Sequence, residues 1–143
     1  ETLEKINLLE RKGAPETFDI GAFLSLIKEL RFKNDIKVPL FDRSTDKVIK
    51  DAQTISGEQD YLVIEGNYLL LDRELWRDLS KYWDYKIFLT VEKAVLKARL
   101  IKRWLGENHT YSEAEARVAN NDLINANLVN SHKIEPTLEL QTV

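Results

Sequence analysis

An uninterrupted apolar run ends in a carboxylate and a glycine near the middle of the sequence. Residues 61–64 precede Glu65 and Gly66 without polar alternation, which predicts a strand buried on both faces of a parallel sheet. The last side chain of such a strand points into the crevice at the sheet's C-terminal edge, where α/β folds bind ligands. In phosphoryl-transfer proteins a carboxylate at this position typically orders Mg²⁺, directly or through water. The alternative is that Glu65 caps the segment that follows.

Two arginines form a second candidate group. Arg99 and Arg103 lie in a segment, residues 92–105, whose apolar spacing predicts a helix, so both side chains project from one face. Planar guanidinium groups match the oxygens over which phosphoryl transfer spreads negative charge. The alternative is a solvated basic face supported by pairing between successive turns.

Three more side chains lie where helices and strands are predicted to begin or end. Asp19 precedes a predicted helix over residues 20–32 and is suited to capping it. Asp42 ends a short edge strand that contains Pro39, and as a turn aspartate it needs no further role. Phe41 could stack on a ring, although an aromatic side chain beside a strand end more often joins the core.

The composition restricts the class of protein. A length of 143 residues with 43% hydrophobic and 31% charged residues suits one soluble domain over residues 1–143. The net charge of −3 argues against nonspecific nucleic-acid binding, and no apolar run approaches the roughly 20 residues of a membrane span. The sequence has no cysteine, so we expect a cytoplasmic protein without thiolate metal sites.

Helices and strands are predicted to alternate, which is typical of an α/β protein with a mostly parallel sheet. The predicted helices cover residues 2–11, 20–32, 72–81 and 92–105, followed by one that begins at Ser112 with a capping box. The predicted strands cover residues 35–42, 47–49, 53–55, 61–65, 85–91 and 133–140.

Four motifs together carry a resemblance to a known family. Residues 11–19 contain Pro-x-x-Phe-Asp, residues 38–43 read Val-Pro-Leu-Phe-Asp-Arg, residues 63–72 begin Val-Ile-Glu-Gly-Asn-Tyr, and residues 122–125 form Asp-x-x-Asn. They resemble the P-loop kinase family of uridine kinase, bacterial pantothenate kinase and phosphoribulokinase. The resemblance is strongest to its bacterial branch of nucleoside-triphosphate hydrolases, or fructose-transport-associated kinases.

The resemblance implies a three-layer P-loop fold, ATP and Mg²⁺ as cofactors, and a small-molecule substrate. The γ-phosphate would pass to a hydroxyl of a nucleoside, a pantothenate-like compound or a sugar. Glu65 would help to hold Mg²⁺, and Arg99 and Arg103 would belong to a lid with flanking helices over residues 92–125. The implied acceptor-site residues are Asp19, Phe41 and Asp42.

The sequence lacks two elements of the family pattern, a Gly-rich phosphate loop and a strand that ends in Asp-Gly-Phe-His. Family members carry a Gly-rich phosphate loop ending in Gly-Lys-Ser/Thr, whereas none of the five glycines here precedes Lys-Ser or Lys-Thr. We therefore expect an N-terminally truncated portion of a kinase, without its nucleotide-binding loop and inactive alone. The alternative is a non-catalytic α/β binding or interaction module. A sheet without its first strands would expose an edge, so pairing with a second copy is a further expectation.

Overall fold

The computed structural model describes residue 8 and residues 11–32, 35–45 and 47–142. Most of the helix predicted over residues 2–11 lies outside these described residues. The chain divides into two compact units, an insert unit of Asp19–Gly66 and a main unit formed by Glu1–Phe18 together with Asn67–Val143. Within the described ranges, no helix is both long enough and apolar enough to cross a membrane.

The insert unit begins with helix α1, Ile20–Leu30. The Asp19 carboxylate accepts a hydrogen bond from the backbone N–H of Ala22 at 2.9 Å, which satisfies one of the donors that a helix N-terminus leaves free. The predicted helix and its cap are therefore confirmed. Ile27 is the buried residue of this helix.

An antiparallel hairpin follows, made of β1, Asp35–Asp42, and β2, Lys47–Ser56. The register shifts between Val38 and Leu40, because Pro39 has no N–H to donate to the ladder. The predicted edge strand is thus confirmed. The two short strands predicted at residues 47–49 and 53–55 form one continuous strand, in which Asp51 has a positive φ of 53°.

The predicted buried strand at residues 61–65 is wrong for this structure. These residues form neither helix nor strand, and Tyr61 and Val63 are 89% and 91% exposed. None of the described strands pairs with this segment. An apolar run becomes a buried strand only when neighbouring strands supply a hydrogen-bond ladder and cover its faces.

The main unit contains a parallel pair of strands and a helical region. The strands β3, Ile87–Val91, and β4, Leu138–Thr142, pair from Ile87 with Leu138 to Val91 with Thr142. The predicted last strand, residues 133–140, begins later than expected, beyond Pro136. The helical region contains α2, Lys93–Gly106, then α3, Tyr111–Arg117, a π-helical turn, Val118–Asp122, and α4, Leu123–Ser131.

The helix predicted over residues 72–81 is a shorter 3₁₀ helix, Trp76–Tyr82. Asp72 does not cap it, because the N-cap position is Leu75 and the Asp72 carboxylate pairs with Arg77 Nε at 2.9 Å. Leu75 has a φ of 65°, and the N–H of Trp76 donates to the carbonyl of Glu74 at 2.9 Å. This three-residue turn prevents a helix from starting at Asp72.

Helix α3 begins at a capping box, two residues before the predicted one. Thr110 Oγ1 accepts from the Glu113 N–H at 3.3 Å, and Glu113 Oε2 accepts from the Thr110 N–H at 2.8 Å. Ser112 and Glu115 have the same spacing in sequence, but Ser112 lies within the helix, and Glu115 pairs with Lys97 at 3.0 Å.

We expect Thr110→Ala to lower the free energy of unfolding by about 1 kcal/mol, the usual value of a lost N-cap. Ser112→Ala is the matched control, since Ser112 is exposed and lies inside α3, and its effect should stay below about 0.5 kcal/mol. Urea unfolding at pH 7 measures both. A larger loss for Ser112→Ala would assign the cap to the wrong residue.

The pH dependence gives a second readout of the same cap. Hydrogen bonds from the backbone and side chain of Thr110 lower the pKa of Glu113 below its ordinary 4.5. A lowered pKa in the folded state means that the ionised carboxylate stabilises the fold above about pH 4.5, and that this contribution is lost as the pH falls through the folded value. The effect of Thr110→Ala should therefore shrink in acid.

Candidate functional site

The first sequence motif is anchored through Arg11. Its Nη1 donates to Asn121 Oδ1 at 2.9 Å and its Nη2 to Asn125 Oδ1 at 3.4 Å, while Nη2 also contacts Glu16 Oε1 at 3.0 Å. Asn125 is buried and donates from Nδ2 to Asn121 Oδ1 at 3.2 Å. The guanidinium group therefore joins the first motif to the Asp-x-x-Asn motif near the end of the chain.

Tyr68 connects the motif at residues 63–72 to the same region. Its hydroxyl donates to the carbonyl of Gly13 at 2.7 Å, and Gly13 has a φ of 92° that favours glycine. The Tyr68 ring lies edge to face with Phe18 at 5.8 Å and with Trp76 at 5.5 Å between centroids. Burial raises the pKa of Tyr68 to about 12. Three of the four motifs thus meet within the main unit.

Arg103 lies at a corner formed by α2 and the π-helical turn. Its Nη2 is 3.6 Å from Asp122 Oδ1, and its Cζ is 5.0 Å from the centroid of the Trp104 ring. Trp104 Nε1 donates to Asp122 Oδ2 at 2.7 Å. Arg99 lies exposed on the same helix. Both predicted arginines are therefore solvent-accessible side chains of α2.

The turn of Val118–Asp122 determines where Asp122 lies. A π-helical turn inserts an extra residue into a helix and is frequent at functional sites. Here it separates α3 from α4 and ends at Asp122, whose side chain is only 15% exposed. Asp122 can therefore serve Trp104 and Arg103 at the same time.

The three predicted acceptor residues lie in the insert unit. Asp42 accepts from the Ser44 N–H at 2.9 Å, from Ser44 Oγ at 2.7 Å and from Thr45 Oγ1 at 2.7 Å. These hydrogen bonds lower the pKa of Asp42, as expected of a turn aspartate. Asp19 caps α1, and Phe41 is 47% exposed and not part of a core.

A small cavity in the insert unit has a volume of ≈ 60 Å³. This is too small for a metabolite, since ligand pockets are typically about 300–1,000 Å³. None of the predicted site residues lines it. Its lining consists of Leu30, Ile36, Ile55, Ser56, Gly57, Gln59 and Leu62.

Glu65 is exposed at the end of the insert unit. The part of the chain that the structure describes has no group of three or more His, Cys, Asp or Glu side chains able to hold a metal ion. Magnesium at a nucleotide site is usually held by one or two carboxylates, with phosphate oxygens and water completing its octahedron. A single exposed carboxylate fits that kind of site and does not fit an all-protein metal cage.

Several residues that hold the motifs together lie within the motifs, but their contacts could not be predicted from the sequence. Arg11 and Tyr68 lie inside recognised motifs, and Asp122 begins another. Their partners are distant in sequence, so no local pattern reveals the contacts. Arg117, which lies 4.6 Å from the Trp104 ring centroid, belongs to no motif.

No protein-family model matches the chain. The chain is 35% identical over 134 residues to a "putative uridine kinase" of Schizosaccharomyces pombe, covering 91% of the chain and 57% of that protein. It is 32% identical over 123 residues to an ATP-dependent kinase-like protein of Aspergillus versicolor, covering 81% of the chain and 72% of that protein. Other relatives include bacterial pantothenate kinases. The chain thus spans little more than half of the Schizosaccharomyces protein.

Solved structures give the same result. A "putative fructose transport system kinase" from Silicibacter sp. TM1040 is 43% identical with a TM-score of 0.91, covering 96% of this chain and 67% of that one. YFH7 of Saccharomyces cerevisiae, a "putative P-loop containing kinase", has a TM-score of 0.79 and covers 95% of this chain and 50% of its own. Its sequence identity is 24%, so this match shows likeness of fold alone. The predicted α/β fold class is confirmed. The chain therefore belongs to the family of P-loop kinases that includes the uridine kinase-like and pantothenate kinase proteins.

Proposed function

We propose that this chain is part of an ATP-dependent kinase that transfers the γ-phosphate of ATP to a hydroxyl of a small metabolite. Candidate acceptors are a nucleoside, a pantothenate-like compound and a sugar. The observation that supports this most is the 43% identity, over 96% of the chain, to the "putative fructose transport system kinase". The uridine kinase-like and pantothenate kinase relatives support the same reaction class.

Glu65 is the proposed magnesium-linked residue. A bound Mg²⁺ would neutralise charge on the phosphate oxygens. Glu65 lies exposed beside Gly66, so its carboxylate is accessible to a bound ion or to one of the ion's waters. Its role would be to fix the position of the ion by charge.

Arg99 and Arg103 are the proposed lid arginines, within the proposed lid over residues 92–125. Helix α2 presents both side chains to solvent, where guanidinium groups can donate to phosphate oxygens. Arg103 has an ion pair of 3.6 Å with Asp122. That contact is longer than a charge-assisted hydrogen bond, which is about 2.7–2.9 Å, so Arg103 keeps donors for a ligand.

The hairpin of β1 and β2 carries two of the residues proposed to bind the substrate that accepts the phosphate. Asp42 Oδ1 accepts two hydrogen bonds and Oδ2 accepts one, whereas a carboxylate offers about four acceptor positions. The backbone of Thr45 also contributes a hydrogen bond to this carboxylate, so a substrate hydroxyl would have to share or displace one of these donors. Phe41 offers an exposed ring for stacking, and Asp19 lies at the start of the same unit.

The decisive experiment is transfer of labelled phosphate from ATP by the full-length protein that contains this chain. Uridine, pantothenate and fructose are offered separately, with and without Mg²⁺. We expect one acceptor class to be phosphorylated, in a reaction that stops when Mg²⁺ is chelated. A non-catalytic binding module would phosphorylate none of them under any condition, and that result would reject the proposal.

Lys102 provides a matched control for the arginines, since it lies exposed on the same helix. We expect Arg103→Gln to lower kcat at least tenfold, because it removes a charge contact that stabilises the transition state by about 1.4 kcal/mol or more. Lys102→Gln removes the same charge and should change kcat less than about twofold. Equal rates for the two variants would contradict the role of Arg103.

A further inference from the structure

We propose that the ring of Trp104 gathers Arg103 and Arg117 into one polyphosphate-binding corner, with Asp122 as the residue that positions the ring. This inference rests on the proposed kinase function and adds Arg117 as a phosphate-binding residue. The chemical class of its ligand is a polyphosphate, as in the triphosphate of a nucleotide.

Two guanidinium groups share one aromatic ring at this corner. The Cζ atoms of Arg103 and Arg117 lie 5.0 and 4.6 Å from the centroid of Trp104. His109 approaches the same ring edge-on, at 5.2 Å between centroids. A guanidinium group above an aromatic face keeps its N–H donors at its own edge, so stacking leaves them available to an anion.

The Trp104 ring is held in place by packing against a core and by a hydrogen bond. Trp104 packs partly buried against the core of Ile101, Ala114 and Val118. Its N–H donates to Asp122 Oδ2 at 2.7 Å, a charge-assisted hydrogen bond at the short end of the usual range. The ring can therefore act as a rigid support for flexible arginine side chains, which lowers the entropy lost on binding.

Each guanidinium group at the corner has a carboxylate nearby. Asp122 contacts the ring, and one of its oxygens accepts from Trp104 while the other is 3.6 Å from Arg103. The Glu113 carboxylate, on the same helix as Arg117, accepts hydrogen bonds from Thr110 and also interacts electrostatically with Arg117. Both guanidinium groups remain exposed to solvent, where a multivalent anion could contact the two together.

A purely structural role is the competing explanation. Cation–π contacts could simply stabilise the turn between α2 and α3, in which case Arg117 would matter for stability and not for binding. The two explanations differ in what substitution of Arg117 changes. Affinity for an anion decides between them.

Calorimetric titration of the full-length protein with sodium tripolyphosphate and with MgATP tests the proposal. We expect Arg117→Gln to weaken tripolyphosphate binding about tenfold, the loss of one charged hydrogen bond. Lys102→Gln, the matched control, should weaken it less than about twofold. Arg117→Lys should recover part of the affinity, because it keeps the charge but loses the planar fork.

A third variant tests the ring. Trp104→Phe keeps an aromatic face but removes the N–H that Asp122 holds. We expect it to weaken tripolyphosphate binding, and adding Arg117→Gln should then cost less than in the wild-type protein, because the two residues act as a unit. Thermal melts of each variant separate loss of affinity from loss of fold.

The outcomes separate this inference from the kinase proposal. Equal affinities for Arg117→Gln and Lys102→Gln, or no tripolyphosphate binding by the wild-type protein, would overturn the inference. Phosphoryl transfer with an unchanged KM for MgATP in Arg117→Gln would overturn it while the kinase function stands. Tripolyphosphate binding that depends on Arg117, without transfer of phosphate to any alcohol, would support the polyphosphate-binding corner and reject the proposed kinase function.

Discussion

Glu65→Gln in the full-length protein is expected to lower kcat on the order of 10²-fold, equivalent to about 2.7 kcal/mol of transition-state stabilisation. The substitution keeps size and hydrogen-bonding capacity but removes the charge that would hold Mg²⁺. Because that charge acts mainly on the transferring phosphoryl group, the loss should fall on kcat more than on KM. Steady-state kinetics at several Mg²⁺ concentrations measures it.

The fold should survive this change. Glu65 is exposed and lies in a segment without regular secondary structure, so the melting temperature should hardly move. Glu58→Gln is the control, as an exposed carboxylate of the same unit. Near-normal kcat for Glu65→Gln at low Mg²⁺, or loss of fold in place of rate, would show that Glu65 is structural.

The largest expected effect on stability comes from Leu71→Ala. Leu71 is 0% exposed, and its backbone forms a bridge with Lys133 and donates to the carbonyl of Tyr68 at 3.0 Å. Removing its side chain should leave a cavity and lower the free energy of unfolding by about 2–5 kcal/mol. Denaturant unfolding with a constant m value measures the loss.

Leu105→Ala is the matched control for the core substitution. Leu105 is 42% exposed on α2, and the same change of side chain should cost less than about 1 kcal/mol there. If the two variants were equally stable, the contacts around Leu71 would not form a core.

Local signals in the sequence predicted the elements that depend on local contacts. The helix after Asp19, the basic helix α2 and the edge strand β1 all formed within about two residues of their expected bounds, because capping, apolar periodicity and a proline act over a few residues. The run at residues 61–65 failed because a buried strand depends on partners that are distant in sequence.

The same distinction applies to the site. The sequence motifs identified the stretches that meet in the main unit, but not the contacts that join them. Arg11 bonds to Asn121 and Asn125 across separations of 110 and 114 residues, and no periodicity reports such a pair. Thr110 and Ser112 present identical capping patterns, and only the three-dimensional start of α3 decides between them.

The insert unit has a consequence for how acceptor choice could change. In sequence, Asp19–Gly66 is one continuous segment between the two parts of the other unit, and it carries the proposed acceptor residues and Glu65. The proposed lid arginines lie in the surrounding sequence. An exchange of this single segment between homologous kinases would move the proposed acceptor residues and the proposed magnesium residue together, while the proposed lid arginines stay in place. Chimeras joined at Phe18 and Asn67 would therefore test whether acceptor selectivity travels with one continuous segment.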